Sequence, residues 1–233
     1  MNQYIVGHRG AAGLAAENTL KAFRIGCESS AQVVECDIHL SRDKELVVIH
    51  DNILDRTTNG KGWVKDFTSA QLTKLDAGGG EKIPTLQEVV NLVSDYNKML
   101  IIEIKGESWE IAEATAQALL AFIKRNRLKS KQVIVHSFWH RAVFQFKKAA
   151  PKIKTAVIMM LGLPAKSVLD LILAANADGA SIAYDYISQE LIDLTREKKL
   201  FLDAWLLNDQ QTFARMKNMG VNGLITNFPG KFL

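Results

Sequence analysis

Short apolar runs of strand length alternate with segments of helical periodicity along the whole chain. Eight predicted strands lie at residues 3–7, 33–40, 99–105, 133–138, 155–160, 179–184, 200–207 and 223–227. Predicted helices lie between them, near residues 17–30, 85–97, 109–126, 139–149, 165–176, 188–198 and 209–219. Strands that are separated by helices pair in parallel, with right-handed connections. The pattern therefore predicts an α/β protein.

Eight strands with intervening helices in a chain of 233 residues match a closed (β/α)8 barrel, the TIM barrel. Most of the predicted strands are apolar, as expected when helices cover one face of a sheet and a barrel core fills the other. We expect a single domain over residues 1–233, with an eighth helix that is missing or vestigial. An open, doubly wound sheet is the alternative, although the first strand–helix turn lacks the G-x-G-x-x-G phosphate-binding pattern.

The segment between the second strand and the second barrel helix is far longer than the loop of about two to six residues that usually joins such elements. It covers about residues 51–84, and Thr68 and Gln71 within it have the spacing of a helix capping box. The large apolar residues that this segment could bury are Trp63, Phe67, Leu72 and Leu75. We expect a small ordered insertion that caps one end of the barrel.

Composition excludes several classes of protein. With 48% hydrophobic and 23% charged residues, the chain is typical of a globular protein and unlike a disordered one. No apolar run reaches the roughly 18 residues of a membrane span, and the N-terminus lacks the regions of a secretion signal, which favours a cytoplasmic location. The net charge of +4 suits an anionic small molecule. We expect no nucleic-acid partner, because neither a binding-fold signature nor an aromatic platform accompanies the lysines. We expect the two cysteines, Cys27 and Cys36, to be buried thiols.

Polar residues lie at the carboxyl ends of the first three predicted barrel strands. They are His8 and Arg9 after the first strand, Glu35 and Asp37 on the second, and Glu103 and Lys105 on the third. The carboxyl ends of all strands meet at one face of a barrel, where active sites form. Because residues two apart in a strand point to the same side, we expect these side chains to share one pocket.

A second histidine, His50, follows a predicted hairpin in which residues 46–49 form the returning strand. If Asp43 and Lys44 form the centre of the turn, His50 lies directly opposite Asp37. Directly paired residues share a face of the sheet, so this register brings His50 to the same pocket. A shift of one residue would remove the pairing.

The predicted pocket combines three carboxylates with two histidines, an arginine and a lysine. Three carboxylates this close raise one another's pKa unless a cation neutralises them. Hard ions such as Ca²⁺ or Mg²⁺ prefer carboxylate oxygens, whereas Zn²⁺ prefers histidine and cysteine. Two histidines can serve as general base and general acid on a P–O bond, with Arg9 and Lys105 holding the phosphoryl oxygens. The set predicts the chemistry of a metal-dependent phosphodiesterase.

An ordered series of short motifs runs through the chain. It comprises His8-Arg9-Gly10, Glu17-Asn18-Thr19, Glu35-Cys36-Asp37, His50-Asp51, Arg56-Thr57-Thr58, Pro84-Thr85-Leu86, Glu103-Ile104-Lys105, Trp205 with Asn208, and Gly223-Leu224-Ile225-Thr226-Asn227-Phe228-Pro229. In this order, and over essentially the whole chain, the series resembles the glycerophosphodiester phosphodiesterase family in its short bacterial cytosolic form.

The resemblance implies a (β/α)8 barrel with an inserted segment after the second strand. It also implies release of sn-glycerol 3-phosphate and an alcohol from a glycerophosphodiester. The site residues that it implies are Glu35, Asp37 and Glu103 for a divalent metal, Ca²⁺ or Mg²⁺; His8 as base and His50 as acid; and Arg9, Lys105 and Trp205 for substrate binding.

The chain departs from the family's usual pattern at Ala16, Leu206 and Asn222, where the family usually has proline, threonine and aspartate. None of the three is an implied metal ligand or catalytic histidine, but Leu206 bears on the alcohol pocket. Two alternatives stay open: a phospholipase D-like enzyme that forms cyclic phosphates, and an inactive barrel that only binds phosphodiesters. The sequence also leaves open the alcohol, the metal, the oligomeric state, and whether water or the glycerol 2-hydroxyl attacks phosphorus.

Overall fold

The computed structural model describes residues 3–232, and its centre is a closed barrel of eight parallel strands with a ninth strand at one side. The strands are β1 (Tyr4–Gly7), β2 (Val33–Leu40), β3 (Leu46–Val48), β4 (Met99–Ile104), β5 (Val133–Ser137), β6 (Lys154–Met159), β7 (Gly179–Ala183), β8 (Phe201–Trp205) and β9 (Gly223–Thr226). The sheet closes because β1 pairs in parallel with both β2 and β9. The predicted TIM barrel is confirmed.

Helices cover the outside of the barrel, and one short helix lies in the segment after β3. They are α1 (Leu20–Glu28), α2 (Ser69–Leu72), α3 (Leu86–Asp95), α4 (Trp109–Arg125), α5 (His140–Ala149), α6 (Ala165–Ala174), α7 (Gln189–Glu197) and α8 (Gln210–Met219). A capping box at Thr68 with Gln71 begins α2, as the spacing predicts, and a second one at Thr85 with Glu88 begins α3. None of the described helices is long and apolar enough to cross a membrane.

Apolar side chains fill the inside of the barrel and the space between barrel and helices. The inner group consists of Tyr4, Val6, Val33, Ile101, Ile134, Ala156, Phe201 and Ile225. The outer groups include Cys27 and Cys36, which are buried free thiols as predicted. Because side chains fill the barrel instead of leaving a pore, a site for a substrate must form at one of its ends.

The carboxylate of Asp203 on β8 is fully buried inside the barrel. The hydroxyl of Tyr4 donates to its Oδ1 at 2.7 Å. Its Oδ2 has no hydrogen-bond partner among residues 3–232 and lies 3.9 Å from Nε2 of His136. Burial raises the pKa of Asp203 to about 7, although the hydrogen bond from Tyr4 opposes this shift. The pKa of an aspartate in the unfolded chain is near 3.9. Between about pH 4 and pH 7, Asp203 is therefore protonated in the folded protein and ionised in the unfolded chain.

This difference predicts a pH-dependent effect of Asp203→Asn on stability. Between about pH 4 and pH 7 the folded state binds more protons than the unfolded state, so the contribution of Asp203 to the free energy of unfolding falls as pH rises. The free energy of unfolding can be measured with urea at about pH 4.5, 6 and 8. Over this range the value for the variant should rise by about 2–4 kcal/mol relative to that of wild type. A stability difference that does not change with pH would contradict the assignment.

The hairpin that leads to His50 has a different register from the predicted one. Asp37 lies opposite Ile49, whose N–H donates to the Asp37 carbonyl at 3.0 Å. The predicted pairing of His50 with Asp37 is therefore wrong by one residue. The turn contains three residues instead of two, and the last of them, Lys44, has a φ of +65°, a common hairpin geometry. His50 nevertheless reaches the pocket, because β3 ends at Val48 and the chain then leaves the sheet.

Residues 51–84 pack against this hairpin and form a small separate core with it, and they contain a 3-10 helix over Val64–Asp66 as well as α2. The core contains Val47, Ile49, Leu54, Val64, Leu72, Ala77 and Ile83, with Phe67 and Leu75 packed against it. Trp63, which was predicted to be buried in this segment, lies outside this core. It is 43% exposed, and the ammonium of Lys65 lies 5.2 Å from its ring centre. Aliphatic side chains such as Leu54 fill the core instead.

Candidate active site

The turn after β1 positions two of the predicted site residues. A methyl group added at Gly7 would collide with the backbone carbonyl of Gly10, and Gly10 itself has a φ of +82°, so the turn requires glycine at both positions. His8 and Arg9 lie between them. The backbone N–H of Arg9 donates to Oε2 of Glu35 at 2.9 Å, which fixes this turn against the end of β2.

The three predicted metal ligands lie together. Asp37 on β2 is paired with Glu103 on β4, and paired residues share a face. Glu35 precedes Asp37 by two residues and points to the same side. One carboxylate oxygen from each of the three lies within 4.8 Å of the others, and Glu35 and Asp37 are buried. Cys36, between them, points away into the helix-facing core.

Two cations contact this carboxylate cluster of Glu35, Asp37 and Glu103. The ammonium of Lys105 lies 3.1 Å from Asp37 Oδ1 and also contacts Glu103, and the Nε of Arg9 lies 3.3 Å from Asp37 Oδ2. In this structure the two groups predicted to hold phosphoryl oxygens are therefore paired with carboxylates.

The three carboxylates differ in their pKa values. Burial opposes ionisation of Asp37, but Lys105 and Arg9 outweigh it and hold its pKa well below the usual range. Burial, together with repulsion from Asp37 and Glu103, raises the pKa of Glu35 well above its usual value. Burial raises the pKa of Glu103 to about 7, although Lys105 opposes the shift. Glu35 and Glu103 therefore lack enough positive charge around them to ionise as readily as free carboxyl groups.

The two histidines have different partners. Nδ1 of His8 lies 2.6 Å from the amide oxygen of Asn227, so this nitrogen donates. Nδ1 of His50 lies 2.6 Å from Oδ1 of Asp51, so here the partner is a carboxylate. Burial and the neighbouring Arg9 lower the pKa of His8 to about 4. The pKa of His50 is also lowered, by burial and then by Lys105 and Arg9, while Asp37 and Asp51 oppose the shift.

An ion-pair network supports both histidine turns. The guanidinium of Arg56 donates to Asp51 at 2.7 and 2.9 Å and to Glu17 at 2.7 Å. Glu17 also accepts a hydrogen bond from Arg9 at 2.7 Å. The chain of contacts runs from His50 through Asp51, Arg56 and Glu17 to Arg9, and it links the insertion to the turn after β1.

A cavity of about 400 Å³ opens at the carboxyl end of the barrel and brings most of the predicted residues together. Its lining includes His8, Arg9, Glu35, His50, Glu103, Lys105 and Trp205. Asp37 lies behind this lining, in contact with Arg9 and Lys105. The indole Nε1 of Trp205 is buried without a hydrogen-bond partner in the described part of the chain. It is a donor available to a bound molecule.

Several side chains at the site had no role in the prediction. Asn18 donates to Asp37 Oδ2 at 2.8 Å, and Nε2 of His39 lies 3.1 Å from the carbonyl oxygen of His50. The motif series contains Asn18, Asp51, Arg56 and Asn227. This membership was the one feature of the sequence that pointed to them as site residues. His136 lines the cavity beside Glu103, with which it is paired on β5. The sequence analysis did not single out His136, although a histidine within an apolar strand could have pointed to it.

Comparison with known proteins places the chain in a family. A sequence model of the glycerophosphoryl diester phosphodiesterase family matches residues 8–231. The Bacillus subtilis protein YhdW is 38% identical over 239 residues, covering 97% of this chain and 95% of the relative. A glycerophosphodiester phosphodiesterase of Caldanaerobacter subterraneus is 35% identical over 236 residues, covering 98% and 96%.

A solved structure agrees with the sequence relatives. The structure of an Oleispira antarctica phosphodiesterase, in complex with the product sn-glycerol-3-phosphate, superposes with a TM-score of 0.91. It is 26% identical, and the match covers 99% of this chain and 95% of the other. By sequence, by fold and by the motifs at its site, this chain belongs to the glycerophosphoryl diester phosphodiesterase family.

Proposed function

We propose that this protein hydrolyses glycerophosphodiesters to sn-glycerol 3-phosphate and an alcohol, in a reaction that depends on a divalent cation and two histidines. The observation that carries the proposal is one cavity lined by His8, His50, Glu35 and Glu103, with Asp37 directly behind it. Family membership supports the same activity, and the Oleispira antarctica structure holds sn-glycerol-3-phosphate as its product.

The carboxylate cluster has the properties that a divalent cation needs. Its donors are all oxygens, which favours Ca²⁺ or Mg²⁺. Oε1 of Glu35 is buried and has no hydrogen-bond partner among residues 3–232, so a lone pair is left for a ligand. A cation held by Glu35, Asp37 and Glu103 would supply Lewis-acid polarisation of a phosphoryl oxygen or of a substrate hydroxyl. Positive charge here would also relieve the raised pKa values of Glu35 and Glu103.

The different partners of the histidines support different roles. His8 donates from Nδ1 to a neutral amide, and its pKa of about 4 keeps the ring neutral near pH 7. Its Nε2 is then free to accept a proton, so His8 suits the general base. His50 donates from Nδ1 to a carboxylate, Asp51, which stabilises the protonated ring. A bound anionic phosphodiester would favour that form further, so His50 suits the general acid that protonates the leaving alcohol.

Three further residues are proposed to bind substrate. Arg9 and Lys105 bring positive charge to the cavity, where the phosphoryl oxygens of a substrate would compete with Asp37 and Glu103 for it. Trp205 offers its unpaired Nε1–H to an oxygen of the substrate. A phospholipase D-like activity would use the same groups but would release a cyclic phosphate, so the products distinguish the two.

The direct test is product analysis by phosphorus NMR. Purified protein is incubated with glycerophosphocholine or glycerophosphoethanolamine, and we expect sn-glycerol 3-phosphate to accumulate. A cyclic glycerol phosphate as the final product would favour the phospholipase D-like alternative. Binding of either compound without turnover, in the presence of Ca²⁺ or Mg²⁺, would favour the inactive barrel and overturn the proposal.

The insertion is proposed to form a wall for the alcohol. Asn52 and Ile53 line a cavity of about 430 Å³ together with His50 and Lys105. Ile53→Ala should therefore raise kcat/KM for glycerophosphoinositol relative to glycerophosphoethanolamine, by about 2- to 10-fold, because the loss of three side-chain carbons opens space for a bulkier alcohol. Trp63→Ala is the control, since Trp63 is an exposed residue of the same segment. Equal selectivity in wild type, variant and control would show that the insertion does not shape the alcohol site.

A further inference from the structure

A histidine inside the barrel lines the catalytic cavity without a role in the proposed reaction. His136 lies on β5, is 2% exposed and borders the same cavity as His8 and His50. Its ring is stacked on Phe201, one of the side chains that fill the barrel, with ring centres 6.2 Å apart. His136 therefore forms part of the boundary between the barrel core and the cavity.

The two ring nitrogens of His136 have different surroundings. Nε2 is buried 3.9 Å from Oδ2 of Asp203 in the barrel core, and neither atom has a hydrogen-bond partner among residues 3–232. Nε2 thus points into the core, and Nδ1 is the nitrogen left for a molecule in the cavity. Burial lowers the pKa of His136 to about 3, so the ring is neutral near pH 7. A neutral ring suits a hydroxyl group better than an anionic oxygen, because a hydroxyl can either donate to Nδ1 or accept from it.

His136 lies on the side of the barrel away from the first catalytic turn. In the closed order of eight strands, β6 lies opposite β1, which leads to His8 and Arg9, and β5 and β7 flank β6. Ser181 on β7 also lines the cavity. Two uncharged polar side chains therefore occur on this side, among apolar ones such as Ile158.

The leaving alcohol and the glycerol group of a substrate face different parts of the site. His50, the proposed acid that protonates the leaving alcohol, borders the insertion, so the alcohol extends toward Asn52 and Ile53. The glycerol group then extends across the cavity, toward the strands that carry His136 and Ser181. Its terminal hydroxyl is one carbon further from phosphorus than its 2-hydroxyl, so the terminal hydroxyl is the group that reaches this side.

We propose that Nδ1 of His136 binds the terminal hydroxyl of the glycerol group and so selects phosphodiesters of glycerol over those of diols that lack this hydroxyl. The proposal rests on the proposed phosphodiesterase function and assigns a specificity-determining residue to the same site. His136 transfers no proton and leaves the reaction itself unchanged. A substrate without the terminal hydroxyl leaves Nδ1 without a partner in a buried site, which weakens binding.

The test compares kcat/KM for glycerophosphocholine with kcat/KM for its 1-deoxy analogue, propane-1,2-diol phosphocholine. The analogue keeps the 2-hydroxyl, so attack by water and attack by that hydroxyl both stay available. We expect wild type to prefer glycerophosphocholine by about 5- to 50-fold, the effect of one unsatisfied buried polar group. His136→Leu, which has no polar atom near the position of Nδ1, should hydrolyse the two compounds within about twofold of each other.

Two further variants separate binding by Nδ1 from a role of His136 in packing. The amide of His136→Asn lies near the position of Nδ1, and we expect this variant to keep most of the preference. The longer amide of His136→Gln lies near the position of Nε2, so this variant should lose the preference although it keeps a polar group toward Asp203. His140→Leu is the control, because His140 begins α5, does not line the cavity and has its Nε2 3.3 Å from the carbonyl oxygen of Ile158. It should show the preference of wild type.

Three results would overturn the inference while leaving the phosphodiesterase function intact. They are equal kcat/KM values of wild type for the two compounds, a His136→Leu variant that keeps the preference, and a loss of the preference in His136→Asn as large as that in His136→Leu. The last result would indicate that the ring acts through its shape and not through Nδ1. Failure of wild type to hydrolyse glycerophosphocholine would instead overturn the proposed function itself.

Discussion

Replacing Glu103 with glutamine is expected to abolish most of the activity while leaving the barrel folded. Glutamine keeps the size of the side chain but removes the negative charge, so the cluster loses one of its three anionic ligands. Binding of Ca²⁺ or Mg²⁺, measured by calorimetry, should weaken by at least about 100-fold, and kcat/KM should fall by about 10³-fold or more. Because burial already raises the pKa of Glu103 to about 7, an uncharged side chain at this position should not destabilise the protein.

The matched control is Glu107→Gln. Glu107 lies four residues further along the chain, contacts Lys65 and is outside the carboxylate cluster. We expect this variant to bind metal and turn over substrate like wild type. Full activity of Glu103→Gln after exhaustive removal of metal would contradict the role of the cluster, and so would equal losses in the two variants.

Removing either histidine should cost about 10²–10⁴-fold in kcat, and the two variants should respond differently to the leaving group. A nitrophenol needs little protonation when it leaves. An activated nitrophenyl substrate should therefore restore much of the rate of His50→Ala, which lacks the proposed acid, and little of the rate of His8→Ala, which lacks the proposed base. Steady-state rates with glycerophosphocholine and with the nitrophenyl diester measure the difference.

The partner residues provide the control for this assignment. Asp51→Asn keeps the shape of the His50 contact but removes the charge that stabilises the protonated ring, so it should resemble a weak form of His50→Ala. Asn227→Ala removes the acceptor of His8 and should resemble a weak form of His8→Ala. Rescue of His8→Ala by the nitrophenyl substrate, without rescue of His50→Ala, would reverse the two roles.

The barrel and most of the site could be predicted because both depend on local pattern and strand direction. Apolar strands separated by helices pair in parallel, and parallel strands bring their carboxyl ends to one face. This rule, with the alternation of side chains along β2 and β4, predicts from the sequence alone that Glu35, Asp37 and Glu103 lie together, as they do in the structure.

The hairpin shows where such reasoning fails. The sequence around residues 41–45 fits a turn of two or three residues, and the choice moves every partner by one position. The prediction that His50 faces Asp37 was therefore wrong in register, although His50 does reach the cavity. The end of β3 at Val48 releases His50 from the alternation of the strand, a consequence of tertiary packing that periodicity does not contain.

Contacts between residues far apart in the sequence were the second limit on prediction. His8 and Asn227 are separated by 219 positions, and Glu17 and Arg56 by 39. Neither pair has a local pattern, because the contacts arise from barrel closure and from the fold of the insertion. The prediction that Trp63 is buried was wrong for a related reason. Aromatic residues are usually buried, but whether one joins a particular core depends on how much aliphatic surface already fills that core.

We propose that the glycerophosphodiesterase activity of this protein resides in one metal-dependent site at the carboxyl end of the barrel. The most direct measurement is kcat/KM of the wild-type protein for glycerophosphocholine after exhaustive chelation, and again after Ca²⁺ or Mg²⁺ is restored. We expect chelation to reduce the activity of wild type to that of Glu103→Gln, and we expect one of the two ions to restore activity in wild type but not in the variant. Undiminished hydrolysis by the metal-free wild-type protein would contradict the account.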